Sequence, residues 1–344
     1  MTEAIRSHAV RVRTATPADW AAVGALTVAV QGPDEPADLV QRLGDTAALA
    51  RDRDVRLLVA TDVDGTIVGS VTTTRFGSGW AGGGLGPGEG GLRLLAVAPD
   101  ARGRGAGAAL VRQGLEVARA DRLDRVVTFT AADRPAAGRL LGRLGFRRLP
   151  WRDRRATDGV KLLAFGIDLA PIVVRPAEAA ELDRAGRLTL AGYVADGIVG
   201  PSDGYARHLA DAAGRAAAAT LLVAVDRAGE VVGTVTFCRP GSPYAELSRP
   251  GEAEFRMLAV GPSARGSGVG TALVHACLDL AGAAGDRTLV LSTLAEMRAA
   301  ARLYQRLGFT ADPARDWSPQ PGVTLLAYQR DVLPDGSDRL AERR

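Results

Sequence analysis

The chain is poor in the residues that hold metals and cross-links. It has two cysteines and three histidines in 344 residues. Two thiols cannot staple a chain of this length, so the fold must rest on apolar cores, and a reducing cytoplasm is the expected setting. Cys238 and Cys277 both lie in apolar runs and read as buried thiols rather than nucleophiles. His8, His208 and His275 are too scattered to form a ligand set, so no metal is expected. Lysine is nearly missing, Lys161 being the single one among 43 basic residues. Acidic residues are interspersed with the arginines, and no basic run is interleaved with aromatics, which argues against a nucleic-acid partner. No apolar run approaches the roughly 18 residues of a membrane span, and Met1 to Val10 lack the apolar core of a leader. The net charge of +4 suits a protein whose ligand is a polyanion.

What the chain does have is a copy of itself. Residues 92–147 contain LRLLAVAPDARGRGAGAALV and then AAGRLLGRLGFR; residues 255–310 contain FRMLAVGPSARGSGVGTALV and then AAARLYQRLGFT. Arg102 answers Arg265, Gly107 answers Gly270 and Phe146 answers Phe309, each pair 163 apart. Upstream, LLVATDVDGTIVGSVT at 57–72 answers LLVAVDRAGEVVGTVT at 221–236 with an offset of 164. One residue has therefore been gained or lost in the loops before Glu89 and Glu252. The period is far too long for a solenoid and marks a duplicated domain. The expected boundary lies near Ala170-Pro171, giving domains 1–170 and 171–332 and a polar tail 333–344.

Each copy predicts the same series. A short strand (10–13; 172–175) leads into helical segments, and a hairpin follows (57–75; 221–239). A strand ended by Pro99 or Pro262 then runs into a glycine-rich turn and a helix (105–120; 268–284). The second of these helices carries an apolar face of Leu273, Val274, Cys277, Leu278 and Ala281. A strand, a helix stopped by Gly-Phe and a final strand complete the unit, implying an α/β layered domain. The stretch GSGWAGGGLGPGEGG at 77–91 reads as a flexible loop.

The chemistry centres on Arg265-Gly266-Ser267-Gly268-Val269-Gly270, between a strand and a helix. Glycines there let backbone N–H groups turn toward one point. The helix that follows adds unpaired N–H groups and the positive end of its dipole, which together make a pyrophosphate cradle. A tight strand–helix turn with no ligand is the alternative for the spacing alone. The loop occurs twice in register, as Arg102-Gly103-Arg104-Gly105-Ala106-Gly107 in the first copy.

The run LAV-x-P-x-x-RG-x-G-x-G, followed about 30 residues later by LYQRLGF, resembles the GNAT superfamily of acyl-CoA-dependent N-acyltransferases. The likeness covers nearly the whole chain, twice. It implies two tandem folds, each a mixed, mostly antiparallel sheet flanked by helices, with acetyl-CoA as co-substrate. It assigns both glycine loops, with Thr271 in the second, to the CoA pyrophosphate. It also assigns backbone groups of Leu258, Ala259 and Val260, and of Leu95 and Val97, to the pantetheine arm. The same likeness makes Tyr304 the group that meets the leaving thiolate; a tyrosine packed at an interface is the alternative. Glu254 takes the position of a base in several family members, with Glu252 in reserve; a surface carboxylate paired with Arg256 is the alternative. Strand alternation is expected to put Glu254, Arg256 and Leu258 on one face.

The register of 163 places Leu141 opposite Tyr304 and Gly91 opposite Glu254. Neither can move a proton, so the first copy is expected to bind CoA or buttress the second without catalysing. The acceptor, a small-molecule or peptide amine, is expected near 189–211 and 312–323, where Tyr193, Asp196, Asp203, Tyr205 and Trp317 lie. Transfer of an acetyl group to a primary amine in a ternary complex is the leading expectation. A non-catalytic acyl-CoA-binding or regulatory protein is the alternative, and a monomer or homodimer fits either.

Overall fold

Both halves open with the same local clasp. Arg13 reaches Asp19 through two bonds of 2.6 and 2.9 Å, while Asp19 also accepts the backbone N–H of Thr16. Arg175 repeats this with Glu181 at 2.7 and 2.8 Å, and Glu181 accepts the N–H of Glu178. A carboxylate three residues into a helical turn thus satisfies an orphan donor and ties the first strand to the helix behind it.

The computed structural model describes residues 10–32, 41, 44–80, 83–156, 159–200, 204–320 and 322–332. The chain divides into two compact units, 1–169 and 170–344. In the first, β1 (Arg11–Thr14), α1 (Trp20–Gln31), α2 (Thr46–Arg51), β2 (Val55–Thr61), β3 (Ile67–Arg75) and β4 (Glu89–Val97) precede the glycine loop. Then come α3 (Ala106–Ala120), β5 (Arg125–Ala131), α4 (Pro135–Arg143), β6 (Arg147–Arg148), β7 (Arg154–Arg155) and β8 (Lys161–Asp168). The second unit repeats the order. Its first part is β9 (Val173–Pro176), α5 (Leu182–Ala195), α6 (Gly204–Ala210), α7 (Ala212–Ala218), β10 (Thr220–Val225), β11 (Val231–Cys238) and β12 (Glu252–Val260). After its glycine loop follow α8 (Val269–Ala283), β13 (Thr288–Leu294), α9 (Arg298–Arg306), β14 (Thr310–Ala311), β15 (Trp317–Gln320) and β16 (Val323–Asp331).

Each unit has one mixed eight-stranded sheet, ordered β1-β2-β3-β4-β5-β8-β6 with β7 on β8, and β9-β10-β11-β12-β13-β16-β14 with β15 on β16. All pairings are antiparallel except β4 with β5 and β12 with β13. The long helix after each loop packs its apolar stripe on the sheet. In α8, Leu273, Val274, Cys277, Leu278 and Ala281 are all buried, and each large side chain among them contributes about 1.5–3 kcal/mol by leaving water. Leu110, Val111 and Leu115 do the same in α3. No helix among the described residues is long and apolar enough to cross a membrane.

Two expectations need correction. The stretch 77–91 is not loop throughout: Glu89, Gly90 and Gly91 begin β4, and Leu85 is buried. The glycine-rich composition hid the strand, because the pairing comes from β3 and β5 on either side. Strand alternation also fails along β12. Arg256 pairs with Thr236 and Ala259 with Thr234, so β12 spends one residue more than β11. Met257 takes φ = 52° at this bulge, and Leu94 takes φ = 51° at the matching place in β4. A bulge resets the side-chain period, so Leu258 does not simply continue the face of Glu254 and Arg256.

Candidate active site

The bulge has a second consequence. β12 pairs with β13 from Glu252–Thr288 to Glu254–Val290 and no further, although β13 runs on to Leu294 along β16. The two parallel strands therefore part beyond Glu254, leaving backbone groups of Leu258–Val260 facing a gap. β4 and β5 part in the same way beyond Leu92–Thr128. At the far end of each gap stands the glycine loop. Gly266 and Gly268 have φ of 77° and 86°, and Gly103 and Gly105 have 77° and 89°. A side chain at these angles costs about 1–2 kcal/mol. A Cβ on Gly103, Gly105 or Gly266 would meet nothing within 4 Å, so the loops face open space. The third glycine is different: a Cβ on Gly270 would lie 3.0 Å from Leu303, and one on Gly107 3.2 Å from Leu140. It allows α8 or α3 to sit close to the helix beside it. Val269 and Thr271 are buried in the first turn, while Arg265 and Ser267 are exposed. The cradle fits a pyrophosphate: open, lined by N–H groups at a helix start, and flanked by arginine.

The two loops differ in what holds their arginines. Arg265 pairs with Asp196, the residue closing α5, at 2.8 Å. Arg102 instead donates from Nε to the carbonyl of Val97 at 3.3 Å. The strand of the first copy is also partly engaged, since Gln31 Nε2 donates to the carbonyl of Leu95 at 3.0 Å.

Glu254 is wholly buried. Its Oε2 accepts three successive backbone N–H groups, from Glu246, Leu247 and Ser248, at 2.9, 2.8 and 3.0 Å. Its Oε1 has no hydrogen-bond partner among the described residues. Arg256 does not pair with it, binding Glu246 at 2.6 Å and the carbonyl of Tyr244 at 3.1 Å. The reserve carboxylate is spoken for: Glu252 takes a two-pronged bond from Arg315 at 2.8 and 2.9 Å. This pair repeats 163 residues earlier as Glu89 with Arg152 at 2.8 and 2.7 Å. It belongs to the framework of both copies.

Tyr304 is buried beside Phe255, Phe309 and Tyr328, with ring centroids 5.7, 6.0 and 6.3 Å away. Burial raises its phenol well above the ordinary value, so it stays protonated near neutral pH. Glu254 and Phe255 are successive strand residues, so their side chains leave opposite faces of β12. The carboxylate and the phenol thus flank the strand from its two sides, where its pairing to β13 stops. Both thiols are buried, and burial pushes Cys238 up to about 12 and Cys277 well above its ordinary value. Neither is a nucleophile at neutral pH.

Of the acceptor-side residues, Tyr193 and Tyr205 gather with Tyr244 around Met257, Val199 and Leu209. Asp196 is the partner of Arg265, Trp317 opens β15 against Leu325, and Asp203 lies outside the described residues. Two groups on this side escaped sequence reasoning. Glu246 is one. The other is Arg215, fully buried, which bonds Thr189 of α5, Thr236 of β11 and the carbonyl of Leu209 in α6 at 3.0–3.2 Å. The helix caps give the signal that finds it. Asp45 and Asp211 each accept the N–H three residues on, which aligns Leu49 with Arg215.

A family model described as "Acetyltransferase (GNAT) family" matches residues 23–146 and again 194–309. A mycothiol acetyltransferase from Pseudarthrobacter chlorophenolicus is 32% identical over 233 residues, spanning 65% of this chain and 68% of that one. One from Mycobacteroides abscessus is 32% identical over 225 residues, 62% of this chain and 70% of that one. Among solved structures, an acetyltransferase of the GNAT family from Staphylococcus aureus shows 14% identity and a TM-score of 0.39, covering 47% of this chain and 99% of that one.

Proposed function

Because this chain belongs to the acetyltransferase (GNAT) family and is an acyltransferase, we propose that it carries acetyl groups from acetyl-CoA to a primary amine in its C-terminal unit. The observation that carries the assignment to that unit is Glu254: a buried carboxylate with one oxygen free, at the point where β12 leaves β13. Gly91 holds its place in the first copy, and Leu141 holds that of Tyr304.

Acetyl-CoA would supply a thioester whose carbonyl carbon accepts the amine and whose thiolate departs. The residues fit the rest. Backbone N–H groups of Gly266 to Gly270 hold the pyrophosphate, and Leu258 to Val260 hold the pantetheine arm. An alkylamine is only about one part in two thousand neutral at pH 7. Glu254 Oε1 takes its proton, directly or through a water, as the new C–N bond forms. Tyr304, kept protonated by burial, donates a hydrogen bond to the thiolate as the C–S bond breaks. Its raised value makes it a stabiliser of that charge more than a full proton donor. Both substrates are present together, and no acetyl-enzyme is formed.

The names of the relatives put a mycothiol-type acceptor first on the panel to be tried, beside glucosamine, spermidine and alaninamide. Thiol release or acetylated product from wild type is expected with at least one. Tyr304→Phe and Glu254→Gln should each lower kcat by at least about tenfold, since a positioned acid or base contributes 10²–10⁴, with acetyl-CoA affinity unchanged. Undiminished rates in both variants would remove the assignment. The first copy is read as a CoA-binding domain that does not catalyse.

A further inference from the structure

An amine arrives at neutral pH as an ammonium ion, and a carboxylate that solvent and solute can reach is a group suited to receive it. Around β12 most carboxylates are committed. Glu252 is bound by Arg315 through both oxygens. Asp286 holds Arg239, and Asp196 holds Arg265 at the cradle. Glu254 is wholly buried, with one oxygen filled by three N–H groups. Glu246 is paired too, but it is more open than Glu252, Asp286 and Glu254, and unlike Asp196 it does not hold the arginine of the cradle. Its side chain is 26% exposed, it touches Arg256 through Oε1 at 2.6 Å, and it sits in the very segment whose N–H groups Glu254 secures. Tyr193, Tyr205 and Tyr244, half-buried around Met257, stand on the same side, and aromatic faces favour cations.

We infer that Glu246 is the residue that receives the acceptor's ammonium group and delivers it to Glu254. This rests on the N-acetyltransferase reading above. The comparison between copies supports it independently. Glycine stands opposite Glu246 in either register, Gly83 at an offset of 163 and Gly82 at 164, and Gly91 stands opposite Glu254. Arg93 keeps the position of Arg256 and still donates to its loop, to the carbonyl of Gly83 at 3.1 Å. In both copies an arginine at this place thus bonds a backbone carbonyl of the loop. Glu246 is an addition found in the copy that has Glu254 and Tyr304. An arriving ammonium shares its carboxylate while Arg256 keeps the bond to Tyr244. The unpartnered Oε1 of Glu254 is the second acceptor in the same neighbourhood, so one carboxylate binds the charge and the next removes the proton.

The test uses the full chain, with the same panel of a mycothiol-type acceptor, spermidine, glucosamine and alaninamide, and tetramethylammonium as a cation that cannot be acetylated. In Glu246→Gln, KM for each amine that wild type acetylates should rise at least about tenfold, with kcat within about threefold and acetyl-CoA affinity unchanged. Competitive inhibition by tetramethylammonium should weaken by a similar factor. Glu246→Asp, which keeps the charge, should recover part of the loss. An amine KM that stays at the wild-type value in folded Glu246→Gln overturns the inference while leaving the N-acetyltransferase reading intact. No acetylation by wild type of any amine overturns that reading and this inference with it.

Discussion

The two oxygens of Glu254 have different work, and substitutions can separate them. Oε2 collects the N–H groups of Glu246, Leu247 and Ser248, and Oε1 is free. A buried donor left without an acceptor costs about 1–3 kcal/mol. Glu254→Ala strands up to three of them and empties a filled site, so its melting temperature should fall by about 2–12 °C, the range that 1–3 kcal/mol produces in a domain of this size. Glu254→Gln keeps an oxygen in the same place and should retain most of that stability while losing turnover. Thermal melts of both variants beside their rates check this, and equal stability loss in the two would show that the N–H groups do not depend on the oxygen. The identity of Glu254 as a candidate was legible, because the strand and loop around it repeat and their family resemblance is specific. Its hold on 246–248 was not. Those residues contact it only through a loop whose path no periodicity records.

At the scale of elements, the parts that sequence revealed are those whose causes are local. The glycine loops are legible because Gly266 and Gly268 are required by their own backbone angles, and the stripe of α8 because its period is its own. The bulge at Met257 and the parting of β12 from β13 are not, since each depends on which neighbour supplies the next hydrogen bond. The same contrast gives an experiment. In Gly268→Ala the new Cβ is strained by φ = 86° and lies 3.2 Å from the Cβ of Ala170. The loop must shift, and with strain of about 1–2 kcal/mol acetyl-CoA affinity for this unit should fall by roughly five- to thirtyfold. Gly105→Ala imposes the same angle in the first copy, where a Cβ meets open space. It should leave turnover within about twofold of wild type, a change too small to register as lost transition-state binding. Steady-state rates against acetyl-CoA concentration distinguish the two variants.

For the whole molecule, the two copies share a framework, and the residues proposed to handle protons stand in one of them. Both copies retain the clasp of Arg13 with Asp19 and of Arg175 with Glu181. Both retain the pair of Glu89 with Arg152 and of Glu252 with Arg315, and the left-handed glycines. Such features serve folding and the cradle, and they are held whether or not a reaction follows. Glu246, Glu254, Tyr304 and Arg215 occur in one copy, opposite Gly83, Gly91, Leu141 and Leu49. On the reading proposed above, two cradles and one set of proton-handling groups would give two CoA sites per chain of unequal consequence. They should also be unequal in strength, because Gln31 already bonds the carbonyl of Leu95 in the first copy, and a ligand must displace it. Calorimetric titration with CoA should therefore resolve a stronger and a weaker site. Arg102→Glu combined with Gly105→Asp, which sets negative charge in the first cradle, should erase the weaker site and leave kcat unchanged. Gln31→Ala should strengthen that same site. Loss of turnover in the double variant, with the stronger site still binding, would mean that the first copy takes part in catalysis and that division of labour is the wrong account of why the chain is doubled.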